Sequence, residues 1–279
     1  MGLTGIIVRA SFKLQRVETA YIKEEILKAK NLEEITNLFD QSRDFTYSVA
    51  WIDLLAKGDD TGRSVLMRGE HAKRDEAGSH ADPLTIKPKR KISVPFNLPG
   101  FFLNSFSVKA FNSVYYQRAR SGQTLVKDYD SFFYPLDAIE NWNRMYGKKG
   151  FMQYQLVFPK KSSVEGLRKI LERVSEEGRS SFLAVIKLFG KQNDLISFPM
   201  EGYTLTMDFP VRPGLERFLV ELDAIVLDHG GRLYLTKDAR MSGEFFRKTY
   251  KRAEEFIKLK NSFDPDGKFA SLQSKRLGI

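Results

Sequence analysis

The sequence predicts an α+β fold in which a large antiparallel sheet with flanking helices is built on β-α-β-β-α-β units. Two observations lead to this prediction. Apolar residues change between strand-like and helical spacing along the second half of the chain, and the first half repeats that order more loosely. Composition agrees, because 42% apolar and 29% charged residues among 279 are typical of a globular protein with a sizeable core.

The second half contains four predicted strands with two predicted helices between them. The strands cover residues 151–158, 182–189, 203–209 and 233–236, with a loop at 190–202. The helices are marked by apolar residues at helical spacing: Val164, Leu167, Ile170, Leu171 and Val174, then Leu215, Phe218, Leu219, Leu222, Ile225 and Val226. Gly230 and Gly231 end the second helix in the manner of a left-handed C-terminal cap.

The first half contains four weaker strand patterns and one helix pattern. The strands cover residues 4–14, 20–27, 47–54 and 63–69. The helix carries apolar residues at Leu32, Ile35, Leu38 and Phe39. Residues 70–91 predict a loop, because charged residues with Gly, Pro, Ser and His replace any apolar period there.

The end of the chain predicts one helix over residues 243–260. Its apolar positions are Phe246, Tyr250, Ala253 and Ile257. A turn at residues 264–267 follows, since the sequence there is Asp-Pro-Asp-Gly.

Residues 92–108 form the longest uncharged run, which is too short and too rich in Pro, Gly and Asn for a membrane-spanning helix. Its aromatic side chains are Phe96, Phe101, Phe102 and Phe106. A buried irregular loop is the favoured interpretation. Contact with a lipid interface is the alternative, and it would make the protein peripheral to a membrane rather than cytoplasmic.

Several classes of chemistry lack their sequence signals. Without cysteine the chain has no thiol catalysis, thiolate metal site or disulfide. No P-loop, dinucleotide-binding or serine-hydrolase motif occurs, and the three histidines, His71, His80 and His229, have no zinc-motif spacing. The beginning of the chain has no secretory-signal pattern.

A formal net charge of +10 would favour binding to nucleic acid, because Lys and Arg neutralise phosphates. Acidic residues are interleaved with the basic ones in both predicted helical regions at 164–177 and 244–260, and no nucleic-acid-binding signature is present. The charge therefore predicts a solvated basic surface and no nucleic-acid partner. An anionic small molecule or a lipid headgroup would use the same charge.

Residues 230–240 are the most informative segment for function. A strand that delivers Tyr234 and Lys237 as it leaves a sheet can present both side chains to one pocket. A desolvated lysine there would stabilise an anionic flavin or orient a substrate hydroxyl. The alternative is an ordinary surface lysine, since most lysines are exposed.

Motifs along most of the chain resemble one family of flavoenzymes. The motifs occupy residues 47–51, 62–65, 135–137, 141–144, 151–155, 187–190, 197–199, 208–210, 230–240 and 269–271. They are similar to the decaprenylphosphoryl-β-D-ribose 2′-oxidase family of FAD-linked oxidoreductases, within the vanillyl-alcohol-oxidase superfamily. The resemblance implies an N-terminal FAD domain and a substrate, or cap, domain built on a large antiparallel sheet.

By that resemblance, residues 1–16 are a remnant of the FAD-binding domain, 17–232 the substrate-binding domain, and 233–279 a C-terminal segment that returns to the FAD domain. We therefore expect most of the FAD domain to be missing from this chain, so that FAD belongs to the complete enzyme. The exposed apolar junction would favour a separate FAD-domain polypeptide, an epimerase or reductase partner, or a homo-oligomer.

The resemblance also implies roles for individual residues. Lys237 and Tyr234 match the catalytic pair at flavin and substrate. Gln153, Gln155 and Lys187 match polar residues of the sugar pocket. The matches to pocket-wall and substrate-contact positions are Trp51, Phe133, Leu136, Thr204 and Thr206. Phe133 stands where the family often has Tyr, and Thr204 and Thr206 stand where its mycobacterial members have Asn and Cys.

The activity implied is oxidation of a secondary alcohol of a sugar by hydride transfer to flavin, with a polyprenyl-phosphate-linked pentose for the cell wall as substrate. Lys237 would hold or polarise the hydroxyl oxygen. Two alternatives stay open: a related alditol or sugar-lactone oxidase, and a non-catalytic module that binds an anionic ligand or a partner. For Gln153 and Gln155 the alternative is structural, because alternate residues of any strand share a face.

Overall fold

The computed structural model describes residues 2–78, 82–179, 183–192 and 194–279. Its strands are β1 (Tyr21–Ala29), β2 (Tyr47–Ile52), β3 (Ser64–His71), β4 (Ile92–Ser93), β5 (Gln123–Asp128), β6 (Ile139–Glu140), β7 (Phe151–Pro159), β8 (Ala184–Phe189), β9 (Gly202–Pro210) and β10 (Arg232–Leu233). Its helices are α1 (Leu32–Asp40), α2 (Ser105–Arg118), α3 (Tyr129–Phe133), α4 (Ser163–Glu177), α5 (Leu215–Asp228), α6 (Gly243–Thr249), α7 (Ala253–Phe263) and α8 (Leu272–Leu277).

An antiparallel sheet in the order β10-β7-β9-β8-β2-β3-β1-β5 organises the molecule. The short strands β4 and β6 pair with each other outside this sheet. The predicted α+β class with a large antiparallel sheet is therefore confirmed.

The second half of the chain folds as the predicted β-α-β-β-α-β unit, from β7 to β10. Across the sheet its strands lie in the order β8, β9, β7, β10. In chain order these are the second, third, first and fourth strands of the unit. Helix α5 ends in a double glycine: Gly230 has a φ of 67° and donates to the Leu227 carbonyl, and Gly231 donates to the Val226 carbonyl. These two bonds make the predicted left-handed cap.

The first half repeats this arrangement. Across the sheet its strands lie in the order β2, β3, β1, β5, which is again second, third, first and fourth in chain order. Helix α1 connects β1 to β2. The two units meet where β2 pairs with β8, through Ala50 opposite Ile186 and Trp51 opposite Val185. The looser repeat seen in the sequence is thus a second sheet unit, and the two units form one continuous sheet.

One face of the sheet carries the main core. Helices α1, α4 and α5 pack on it through fully buried side chains that include Leu32, Ile35, Phe39, Leu167, Ile170, Val174, Phe218, Leu219 and Leu222. The strands contribute Ala50, Leu66, Leu156, Ile186, Leu205 and Met207. Because successive strand residues alternate in direction, the intervening residues project from the opposite face.

Three predicted elements are wrong. Residues 4–14 form no strand, and Ile6, Ile7, Val8, Phe12 and Leu14 are 80–93% exposed. Residues 243–260 are two helices, α6 and α7, because the chain leaves helical geometry at Tyr250. The last predicted strand, 233–236, is reduced to β10, after which the chain turns.

Other predictions hold within the described residues. The loop prediction for residues 70–91 holds at residues 72–78 and 82–91, which contain no helix or strand, whereas residues 70 and 71 belong to β3. Strand β8 falls within the predicted 182–189, although residue 182 itself lies outside the described residues, as does His80.

The prediction of a buried loop at residues 92–108 is wrong. Phe96, Phe101, Phe102 and Phe106 are 51–83% exposed, and α2 begins inside the segment. Asn104 caps that helix: its side-chain oxygen accepts from the Ser107 backbone amide, and the Ser107 hydroxyl accepts from the Asn104 backbone amide in return. Across the described residues, no helix is long and apolar enough to cross a membrane.

Candidate functional site

The sheet face opposite the core helices carries a set of polar side chains. Residues that pair directly across antiparallel strands project to the same face. One row runs from Gln155 through Thr206 and Val185 to Trp51. The neighbouring rows pair Lys187 with Thr204 and Gln153 with Asp208. The structure thus places six of the predicted site residues on one face: Gln153, Gln155, Lys187, Thr204, Thr206 and Trp51.

The turn after β10 brings the predicted catalytic pair to this face. The Tyr234 amide donates to the Gln155 carbonyl at 2.9 Å, and the Lys237 amide donates to the Tyr234 carbonyl at 3.0 Å. The Tyr234 ring stacks on Phe198, with ring centroids 4.5 Å apart. Together Gln153, Gln155, Tyr234 and Lys237 line one groove.

Asp238 fixes the position of that turn. Its side chain is 2% exposed, and its Oδ1 accepts from the backbone amides of Arg240 and Met241 at 2.9 and 2.7 Å. Its Oδ2 accepts from Arg276 of α8 at 2.8 Å. A carboxylate held by backbone and guanidinium donors is a rigid anchor, so Lys237 extends from a fixed base.

Lys237 is exposed, not desolvated as one interpretation of the sequence required. Within the described part of the chain, no carboxylate lies at ion-pair distance from its ammonium group. The side chain is therefore a free cation on the rim of the groove, available to a ligand. Lys187 is likewise exposed on the same face.

Asp208 is a site residue that the sequence reasoning missed. It is 2% exposed, its Oδ1 accepts from Gln153 Nε2 at 2.8 Å, and its Oδ2 lies 3.4 Å from the Tyr146 hydroxyl. Burial raises the pKa of this carboxyl group to about 6, although the Gln153 and Tyr146 hydrogen bonds and the charge of Lys237 oppose the rise. The signal was in the sequence, since Thr204, Thr206 and Asp208 are alternate residues of one strand.

Phe133 and Leu136 lie apart from the groove. Phe133 ends α3 and packs edge-on against Tyr47 of β2, with ring centroids 4.8 Å apart. Leu136 is half-buried in the 3-10 turn that follows. Trp51, four residues after Tyr47, packs against Tyr115 of α2 at 4.7 Å. Helices α2 and α3 therefore cover the first unit on this face. On the second unit, Tyr146 stacks on Phe151 and Phe198 packs against Phe189, so this face is covered only in part.

Comparison with known proteins agrees with the fold and with the sequence motifs. No protein-family model matches the chain. It is 38% identical over 283 residues to decaprenylphosphoryl-beta-D-ribose oxidase of Mycolicibacterium smegmatis, a match that takes in the whole chain and 61% of that protein. It is 26% identical over 289 residues to an uncharacterized protein in the mprA 5′ region of Streptomyces coelicolor, of which it covers 78%.

Solved structures share the fold at low identity. A glucooligosaccharide oxidase of Acremonium strictum matches 92% of this chain and 55% of its own, with a TM-score of 0.52 and 11% identity. Berberine bridge enzyme matches the same shares, with a TM-score of 0.50 and 13% identity. Identity this low shows the fold alone. The chain spans about three fifths of the length of the mycobacterial relative, and the predicted resemblance to that oxidase is confirmed along the whole chain.

Proposed function

We propose that this chain is the substrate-binding part of an FAD-dependent oxidoreductase that oxidises a secondary alcohol of a sugar. A polyprenyl-phosphate-linked pentose is the proposed substrate. One observation carries the proposal: the open sheet face combines two glutamine amides with the free ammonium of Lys237, in a chain 38% identical to a sugar oxidase. A few convergent polar groups in a groove are the usual mark of a binding site.

The residues on the rim suit a flavin. Tyr234 offers an aromatic ring held flat against Phe198, and Lys237 offers a cation with no carboxylate at ion-pair distance among the described residues. A cation near the polar edge of a flavin tunes its electronics. We therefore assign these two side chains to hold FAD, which when bound would supply the hydride acceptor.

The chain's own residues would bind and orient the sugar. Gln153 and Gln155 hydrogen-bond its hydroxyl groups from the floor of the groove, and the Lys237 ammonium donates to the oxygen of the hydroxyl to be oxidised. Orientation of this kind converts binding energy into rate. Lys187, exposed on the same face, is placed to meet a phosphate group.

We propose a division of the chain into residues 1–16, 17–232 and 233–279, in which the first and last segments contact an FAD-binding domain. The exposed apolar side chains from Ile6 to Leu14 support this division, since such a run is rarely left in water. The turn that carries Lys237 supports it too, because it leaves this side chain exposed at the groove.

The aromatic segment before α2, together with α2, is the proposed contact for the lipid end of the substrate and for a membrane surface. Phe101 is 70% and Phe106 83% exposed, and basic residues 87–91 precede the segment. Exposed aromatics beside basic residues are typical of helices that lie at anionic lipid interfaces.

Vesicle binding tests this contact. The double variant Phe101→Ser, Phe106→Ser should lose at least about tenfold in partitioning to phosphatidylglycerol vesicles, because each buried aromatic contributes over 1 kcal/mol. Phe263→Ser is the matched control, since Phe263 is 66% exposed at the end of α7. Equal partitioning of the double variant and the wild type would remove the lipid contact from the proposal.

A substrate panel tests the function itself. The chain is combined with FAD and an FAD-binding polypeptide encoded beside it, and is offered a prenyl-phosphoryl pentose, an alditol and a sugar lactone. Flavin reduction by the pentose compound supports the proposal, whereas reduction by the alditol or the lactone alone favours a related oxidase. Sugar binding with no flavin reduction would favour a non-catalytic binding module.

A further inference from the structure

Each glutamine side chain of the groove donates a hydrogen bond through its amide nitrogen to a side chain of β9. Gln153 Nε2 donates to Asp208 Oδ1 at 2.8 Å, and Gln155 Nε2 donates to Thr204 Oγ1 at 3.2 Å. The two supporting residues are almost fully buried, at 2% and 1% exposure. Each glutamine therefore rests on a neighbour that cannot easily move.

The chemistry of these neighbours fixes which way each amide faces. An ionised carboxylate only accepts hydrogen bonds, so Asp208 requires the NH2 group of Gln153. The Thr204 hydroxyl gives its proton to the Leu156 carbonyl at 2.7 Å, so its oxygen is left to accept from Gln155. Because both partners accept hydrogen bonds, the NH2 group of each glutamine faces its partner and the carbonyl oxygen faces away.

The carbonyl oxygens of the two glutamines are left for a ligand. Neither Oε1 accepts a hydrogen bond from any residue in the described ranges, and neither is among the buried side-chain atoms that lack a partner. Both are therefore open to solvent. Alternate residues on a strand are about 7 Å apart, a distance that a sugar ring and its hydroxyl groups can bridge.

We propose that Asp208 and Thr204 are positioning residues that present the amide oxygens of Gln153 and Gln155 as two acceptors for two hydroxyl donors of one sugar. This inference rests on the proposed function and specifies its substrate class as a polyol with two free hydroxyls on one edge. A sugar whose hydroxyls are all alkylated offers only acceptors and leaves both oxygens unpaired, and a buried unpaired acceptor is costly.

The two acceptors differ in their response to pH. The titratable groups that face Asp208 are Tyr146, from the 3-10 turn before β7, and Lys237, from the turn after β10. Burial raises the pKa of Asp208 to about 6, so that near this pH the carboxyl group gains a proton and is able to donate. Gln153 is then free to turn its amide, whereas Gln155, supported by a hydroxyl, keeps its orientation.

The orientation is measured without any ligand, from the side-chain amide NMR signals of isotope-labelled glutamine in the whole chain. We expect the Gln153 signals to titrate together with the Asp208 carboxyl signal, near pH 6, and to lose that titration in Asp208→Asn. The Gln155 signals should stay constant there and shift in Thr204→Val. Gln192, which donates to Asp194 on the surface at 2.8 Å, is the control for an exposed pair.

The proposal would be overturned if the Gln153 signals changed neither with pH nor on Asp208→Asn substitution. The other amide signals of the variant must show that it is folded. A Gln155 signal unchanged by Thr204→Val would overturn its second half.

Fluorinated sugars then test the acceptor role. Replacing one hydroxyl of methyl β-D-ribofuranoside by fluorine keeps an acceptor but removes the donor. We expect binding to the wild-type chain to weaken about tenfold for the hydroxyls that meet the two glutamines, which equals about 1.4 kcal/mol for each lost hydrogen bond. Fluorinated analogues that all bind as well as the parent would overturn the acceptor role. Failure of the parent sugar to bind would contradict the proposed function instead, while the NMR result still decides the orientation.

Discussion

Asp208 is a buried carboxyl group on the open face of the sheet, and its environment makes the folded protein sensitive to pH. Its pKa in the folded chain is about 6, above the ordinary value of 3.8, because burial disfavours the charged form. The folded state therefore binds more protons than the unfolded state between about pH 4 and 6. The contribution of this group to stability is largest below that window and is lost as pH rises through it.

Asp208→Asn should remove this pH dependence. Relative to the wild type, the variant should gain up to about 3 kcal/mol in free energy of unfolding between about pH 4 and pH 8, as a shift of about two pKa units implies. Urea unfolding at both pH values measures the difference. Asp266→Asn, in an exposed turn, is the control for the change of charge. An identical pH dependence in Asp208→Asn and the wild type would contradict the raised pKa.

Much of the site could be predicted at the level of single residues. The strand spacing predicted that Gln153 and Gln155 share a face, and the register adds Thr206 to that face. The amide partners could not be predicted, because the register of β7 against β9 decides that Gln153 faces Asp208. Phe133 lies away from the glutamines since α3, which the sequence did not indicate, carries it over the first unit.

At the scale of elements, the junction between α5 and β10 is the tightest connection behind the site. A Cβ added at Gly231 would lie 2.7 Å from the Val157 carbonyl oxygen and 2.8 Å from the Phe158 ring. Both are parts of β7, a central strand of the second unit. Close approach of two backbones explains the need for glycine there.

Gly231→Ala should therefore destabilise the chain by about 2 kcal/mol, in the range found for overpacked sites. Gly190→Ala is the matched control, because a Cβ at Gly190 meets nothing within 4 Å and the residue does not require a left-handed conformation. Thermal unfolding of both variants measures the effect. Equal melting temperatures for the two variants would show that the junction relaxes without cost.

Elements with a strong apolar period were predictable, and elements stabilised by other means were not. Apart from Val164 and Ile225, the stripes of α4 and α5 are buried against the sheet, so their period is clear in the sequence. Helix α2 buries only Val108 and Asn112, which leaves no stripe to detect. Residues 4–14 carry an apolar run that suits a strand, but in the described chain they pair with no strand.

At the scale of the whole molecule, two similar sheet units share one continuous sheet, and only the first unit has its second face covered by helices. The groove lies in the second unit, between β7 and the turn after β10. Exposed apolar residues lie in the segment that precedes β1. A molecule built this way offers a surface to a further domain, in agreement with the proposed FAD-binding partner.

Replacing Ile7 and Val8 by serine should weaken binding to an FAD-binding polypeptide at least about tenfold, since the two side chains are 85% and 93% exposed and free to be buried in a complex. The free energy of unfolding of the chain alone should stay within about 0.5 kcal/mol, as for other exposed sites. Calorimetric titration measures the affinity. Unchanged affinity would place the FAD-binding partner elsewhere on the molecule.

The central claim is that a sugar is oxidised on the face where Lys237 meets the two glutamines. The most direct test is the anaerobic loss of flavin absorbance when a prenyl-phosphoryl pentose is added to the chain assembled with its FAD-binding partner. We predict flavin reduction by the wild type and a rate at least about 100-fold lower in Lys237→Met, as expected for loss of a group that holds the reacting oxygen. Lys258→Met, at an exposed lysine of α7, should match the wild type. Flavin that stays oxidised in the wild type while the sugar binds, or equal rates in wild type and Lys237→Met, would contradict the claim.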